Sequence, residues 1–186
     1  MMPEDHMEEL YTSPNPLVRF VHVQRLKKIV EIIPASGKRF ILDAGCGEGH
    51  LLRFIHDSAP IHALFGVDAT GIAIAKASVR CPFAQLVQGD LSRLPFGEET
   101  FDIITCTEVL EHIPEYDATI KELVRVLKPG GLLMITFPNE GLWILSRFLL
   151  GRKPIKVPDH VNSFTPGMMR KIVPLSCISR QNLPFG

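Results

Sequence analysis

Five apolar runs of strand length punctuate the chain. They are "RFILDA" (39–44), "HALFGVD" (62–68), "AQLVQGD" (84–90), "FDIITCT" (101–107) and "GLLMITFP" (131–138). Their apolar residues run on continuously and do not alternate with polar ones. Such strands are buried on both faces, as in a parallel sheet covered by helices on each side. The intervening stretches read as helices over 49–57, 70–79, 108–112 leading into 116–127, and 141–150. An earlier helix is expected over 15–34, with Asn15 as N-cap, Pro16 in the first turn and Pro34 as the stop. Val23, Leu26, Val30 and Ile33 share one face of it at helical spacing. "LKPGG" (127–131) reads as a helix end and a turn before the last run. Strand and helix alternate, so the fold class is α/β, a doubly wound and mostly parallel sheet with helices on both faces.

Composition narrows this little. With 186 residues, 46% hydrophobic and 22% charged, the chain is expected to form one globular domain. Its parts are a flexible start (1–14), the first helix (15–34), a ligand-binding core (39–138) and a substrate-side lid (139–168). Basic and acidic residues balance at 20 each, so no basic excess announces nucleic acid. Cys46, Cys81, Cys106 and Cys177 show no C-x-x-C spacing. A zinc cluster or disulfide framework is therefore not expected, and a reducing, cytoplasmic setting fits best. The opening "MMPEDHMEEL" is acidic and does not read as a signal peptide. The longest nearly apolar run, "GLWILSRFLLG" (141–151), is broken by Arg147 and too short to span a bilayer.

The candidate chemistry begins after the first run. In "FILDAGCGEGHLL" (40–52) a strand passes into glycines at 45, 47 and 49, then into a helix. Gly45 allows a tight turn, Gly47 a close backbone approach, and Gly49 opens the helix. The dinucleotide fingerprint G-x-G-x-x-G needs its third glycine at position 50, which is His50. The spacing is instead D-x-G-x-G-x-G, with Asp43 at the strand end. An acid there is unhelpful beside a pyrophosphate and useful beside an ammonium group. Asp68 closes "LFGVD" and Asp90 closes "LVQGD". Asp68 can accept from both hydroxyls of a ribose, and Asp90 from an adenine amino group. Singly, each Asp reads equally as a turn residue or helix cap. Three at successive strand ends, joined to the glycine spacing, are harder to read that way.

"LDAGCGEG", "GVDAT", "QGDLSRLPF", "FDIITCTEVLEHI" and "LKPGGLLMITFPN" resemble, in order and spacing, the motifs of class I S-adenosylmethionine-dependent methyltransferases of the small-molecule type. The resemblance covers roughly residues 39–140. It implies a Rossmann-like sheet of seven strands, with S-adenosyl-L-methionine as cofactor. It implies that Asp43 and the loop of Gly45, Cys46, Gly47 and Gly49 hold the methionine part. Asp68 with Ala69 would hold the ribose, Asp90 with the Leu91 backbone the adenine, and Thr107 would line the cofactor near the methyl. The first helix resembles that of ubiquinone-pathway O-methyltransferases, where an N-P-L segment precedes an arginine. Here "NPLVR" sets Arg19 one residue later. Arg19 reads either as a partner of the methionine carboxylate or as a solvated helix residue. Tyr11 reads as a cover for the cofactor or as part of the tail.

A methyl on a sulfonium is already activated, so positioning carries most of the work and a catalytic residue is optional. An O- or N-nucleophile that must lose a proton needs a base, and the candidates are His112 and His160. Asn139 and Glu140 also fall after the last run, while Cys46 and Cys106 read as packing residues. "EVLEH" sets Glu108, Glu111 and His112 at i, i+3 and i+4, on one face if the segment is helical. It resembles an E-x-x-E-H metal site of the ubiquinone-pathway enzymes. It equally resembles an E-x-L-x-H pattern in enzymes that bind no metal, and no metal ligand is assigned here.

The expected partner is a small-molecule acceptor, with at most peripheral membrane contact through the apolar-then-basic segment around Arg152, Lys153 and Lys156. Near the end, "TPGMMRKIV" (165–173) reads as a helix and "LSCISRQN" (175–182) as strand six, leaving "LPFG" too short for strand seven. Strand seven is therefore expected to be missing. The open edge fits a homodimer or a truncated chain. Two other readings stand beside methyl transfer: a non-catalytic cofactor-binding module and an NAD(P)-dependent oxidoreductase, the latter disfavoured by Asp43 and His50.

Overall fold

The computed structural model describes residues 15–138 and 161–176. Its strands are β1 (Phe40–Ala44), β2 (Ala63–Asp68), β3 (Gln85–Gln88), β4 (Phe101–Thr107) and β5 (Leu127–Thr136). They form one sheet in the order β3-β2-β1-β4-β5, with every neighbouring pair parallel. The helices are α1 (Pro16–Ile32), α2 (His50–Ser58), α3 (Gly71–Arg80), α4 (Tyr116–Val126) and α5 (Pro166–Ile172).

The continuous apolar runs arise because each strand feeds two cores. Successive side chains point to opposite faces. Ile41, Leu64 and Ile103 pack with Leu26 and Ile29 of α1, Leu52 and Ile55 of α2, and Cys81. Their chain neighbours Leu42, Phe65 and Ile104 pack on the other face with Ile120, Leu123 and Val126 of α4, and with Phe164 and Met169. No polar residue can alternate through such strands without losing one core. In α1 the apolar face holds as expected at Leu26, Ile29 joins it, and Ile33, just past the helix end, is buried with them.

Three boundaries differ from the sequence expectation. First, β5 starts at Leu127, directly after α4, so "LKPGG" is no turn ahead of the strand. Phe101 pairs with Leu127 but Ile103 pairs with Leu132, so the intervening residues are bulged out of the ladder. Pro129 cannot donate to a ladder, and Gly130 takes φ 74. Second, β3 ends at Gln88, which leaves Asp90 beyond the strand, with Gly89 N donating to Asp68 O at 2.9 Å. Third, 108–112 is not an α-helix. Glu108 sits in the left-handed region at φ 55, and only Leu110–His112 form a 3-10 turn.

The expected helix at 141–150 lies outside the described residues. Of the expected strand six, residues 175–176 are described and are not strand, and the remainder lies outside, as does the question of strand seven. No described helix is long and apolar enough to cross a membrane.

Candidate functional site

The strand order reverses between β1 and β4, and in open parallel sheets ligands sit at such a switch, beyond the carboxyl ends. Asp43 of β1 stands in register with Thr105 of β4, and Thr105 Oγ1 donates to Asp43 Oδ1 at 2.7 Å. Both residues are buried. Burial pushes the Asp43 carboxyl up to about 7, the Thr105 hydrogen bond opposes this, and the nearby Asp68 charge adds to it. Among the described residues, the groups acting on Asp43 are a hydroxyl and another acid.

The glycine loop follows. Gly45 N and Cys46 N both donate to Val67 O, at 2.8 and 3.0 Å, and Gly49 N donates to Cys46 O at 2.9 Å. Gly45 has φ 78, and a Cβ there would overlap Val109. Gly47 has φ 50, but a Cβ there would meet nothing within 4 Å. The loop is therefore closed at Gly45 and open at Gly47. Asp68 ties it from the side: its Oδ2 accepts from Gly47 N and its Oδ1 from Thr70 N, each at 2.9 Å. Each oxygen keeps lone-pair capacity for a further donor. Ala69 is exposed, and its carbonyl accepts from Gln88 Nε2 at 3.0 Å. Cys46 and Cys106 are buried, and burial drives both thiols far up, as packing residues.

Asp90 is exposed, and its Oδ1 accepts from Ser92 N at 2.8 Å, which holds its carboxyl below the usual range. Leu91 beside it is buried in the α4-side core. Thr107 is half-buried at the tip of β4, paired in register with Thr136.

Glu108 leaves the candidate acid–histidine face. Its Oε2 lies 3.1 Å from Arg25 Nη1 of α1, and its Oε1 accepts from Thr136 Oγ1 at 3.3 Å. Glu111 is buried, and His112 is half-buried with its N–H on Val109 O at 3.0 Å. The three residues therefore do not line one helical face. Glu111 O accepts from Val161 N (2.9 Å) and Asn162 N (3.1 Å), and Asn162 Nδ2 donates to Ile113 O at 2.6 Å. The segment after residue 160 is thereby strapped to the turn carrying His112. Arg19 is exposed on α1, while Tyr11, Asn139, Glu140 and His160 lie outside the described residues.

The methyltransferase-domain family pattern matches residues 42–135, the span from β1 to β5 that builds this strand-end site. The chain belongs to the class I S-adenosylmethionine-dependent methyltransferases. A probable S-adenosylmethionine-dependent methyltransferase of Mycolicibacterium smegmatis is 33% identical to this methyltransferase, over 55% of this chain and 39% of its own length. The phthiotriol/phenolphthiotriol dimycocerosates methyltransferase of Mycobacterium tuberculosis is 30% identical, over 69% and 47%. The chain thus spans less than half the length of these relatives. Among solved structures, the YcgJ protein of Bacillus subtilis aligns with TM-score 0.67 and 25% identity, over 81% of this chain and 66% of that one.

Sequence reasoning missed four residues that the structure brings to this candidate site: Thr105 on Asp43, Val109 against Gly45, Arg25 on Glu108, and Glu48, a buried loop acid paired with Lys76. Thr105 carries a readable signal, because a hydroxyl at the centre of an apolar strand needs a partner. Val109, Glu48 and Arg25 act across elements, and no local pattern marks them.

Proposed function

We propose that this chain transfers the methyl group of S-adenosylmethionine to a hydroxyl of a small-molecule acceptor, lipid-like or quinone-type. The observation that carries the reading is the buried Asp43 carboxylate beside a glycine loop left open at Gly47. A cofactor bearing an ammonium group fits that pairing, because a carboxyl burdened by burial and a second acid gains most from an incoming cation. The phthiotriol in the name of one relative supports a hydroxyl acceptor.

When bound, the cofactor supplies a methyl on a positively charged sulfur, already activated for displacement. Asp43 would meet its ammonium group, and the backbone at Gly47 would approach its methionine part. Asp68 would accept from the ribose hydroxyls while still holding the Gly47 and Thr70 amides. Asp90 and the Leu91 backbone would take the adenine, with Ala69 beside the ribose. Thr107 would border the methyl. An imidazole nitrogen of His112 would take the proton of the acceptor hydroxyl, and His160 is the second candidate for that work. Holding acceptor and methyl in line and free of water can supply up to about 7–11 kcal/mol, so the base is an addition to positioning.

The test has two stages. S-adenosylmethionine and S-adenosylhomocysteine should raise the melting temperature and NAD should not. Radiolabelled methyl should then pass into hydroxyl-bearing lipids or quinols. Stabilisation by NAD alone would overturn the reading, and cofactor binding without turnover on any such acceptor would reduce the chain to a binding module.

A further inference from the structure

The glycine loop is held residue by residue by the unit of β2 and α3. Gly47 N is bound by Asp68 at the tip of β2. Gly49 O accepts from Cys81 Sγ at 3.2 Å, and a Cβ on Gly49 would lie 3.0 Å from that sulfur and 3.3 Å from Ala77 Cβ. Between them Glu48, only 4% exposed, meets two cationic side chains and an imidazole. Lys76 Nζ donates to its Oε1 at 3.1 Å, Arg80 Nη1 and His50 Nε2 lie 3.6 Å from its Oε2, and Arg80 Nη1 also donates to its main-chain oxygen.

Such an arrangement is built for geometry more than for stability. Burying an ion pair costs about as much in lost hydration as the pair returns. What these groups do fix is the path of the loop, because both the side chain and the carbonyl of Glu48 are bound by α3. We propose that Glu48 is a positioning residue of the cofactor site: clamped by Lys76 and Arg80, it fixes the path of the loop backbone against which the methionine half of the cofactor would lie. This rests on the cofactor assignment above and adds to it a division of labour. The adenosine half would be read by other side chains, at Asp68, Asp90 and Leu91, so losing the clamp should weaken the methionine half most.

Two commercially available ligands separate the halves. S-adenosylhomocysteine carries the amino-acid portion, and 5′-methylthioadenosine lacks it. Calorimetric titration of the purified chain should show Glu48→Gln weakening S-adenosylhomocysteine about tenfold, the loss of one charge-assisted bond, while 5′-methylthioadenosine stays within about twofold. Lys76→Met should reproduce the split and Lys76→Arg should restore the wild-type pattern, which also serves if Glu48→Gln fails to fold. Equal loss on both ligands, or no loss on either, overturns the positioning role alone. A wild-type chain that binds neither compound overturns the cofactor assignment together with it.

Discussion

Thr105 Oγ1 donates to Asp43 Oδ1 over 2.7 Å, joining β1 to β4 where the strand order reverses. This bond opposes the burial that pushes the carboxyl up to about 7. The sign of the pH effect follows. Between the ordinary carboxyl value of 3.8 and about 7 the folded chain keeps a proton that the unfolded chain has lost. Stability of the ligand-free chain therefore falls as pH rises through that window, by a ceiling of about 4 kcal/mol at 1.4 kcal/mol per pKa unit. Asp43→Asn should flatten the dependence of melting temperature on pH between about 4 and 7. Affinity for the cationic cofactor should rise with pH up to about 7 in the wild type and lose that slope in the variant. Superimposable pH profiles for the two proteins would refute the assignment.

The two loop glycines should fail in different ways. Gly45→Ala puts a methyl into Val109 at positive φ, so it should cost roughly 2–4 kcal/mol of stability, read as a lowered midpoint in urea. Gly47→Ala meets no neighbour and should cost only about 1–2 kcal/mol for its positive φ. Its methyl would instead occupy cofactor space, so S-adenosylhomocysteine affinity should drop by more than about tenfold. A stable Gly45→Ala, or a Gly47→Ala that binds normally, contradicts the division.

Asp68 holds the amides of Gly47 and Thr70. Asp68→Ala should cost about 1.5–3 kcal/mol per charge-assisted bond. Both S-adenosylhomocysteine affinity and protection of the Gly47 and Thr70 amides from hydrogen exchange should fall. Affinity unchanged within about twofold rejects Asp68 as a cofactor ligand.

Chelation should leave methyl transfer intact. Glu108 is committed to Arg25 and Thr136, and its left-handed backbone takes it off any face shared with Glu111 and His112. Turnover in excess EDTA should match the untreated rate. Loss of activity on chelation, restored by a divalent ion, would reinstate a metal at this turn.

Much of this fold can be read from one-dimensional pattern, and the reason is visible at Ile41 and Leu42. Adjacent residues feed opposite cores, so neither can be polar without losing one core. The glycine loop was legible because turn chemistry is local, and Asp43 and Asp68 do fall in the last two residues of β1 and β2, whereas Asp90 lies beyond β3. The turn at 108–112 differs from the expected helix although its helical spacing is real in sequence: Glu108 takes a left-handed backbone and pairs with Arg25 of α1, a contact that local spacing does not show. The bulge in β5 was misread because Lys128-Pro129-Gly130-Gly131 has turn chemistry, and only pairing with β4 shows that the strand continues on both sides of it. Glu48 looks like a solvated loop acid until α3 folds over it.

The strand order also governs when the site can come into being. Asp43 and its partner Thr105 are 62 residues apart in the chain, and β1 gains its second neighbour only with β4. During synthesis the glycine loop can close against β2 and α3 early, from nearby residues. The carboxylate at its base must wait, half-covered, until β4 has emerged. Contacts of such long sequence separation are slow to form. Completion of the candidate site and pairing of β1 with β4 are therefore one event, because the Asp43–Thr105 bond lies within that strand pair.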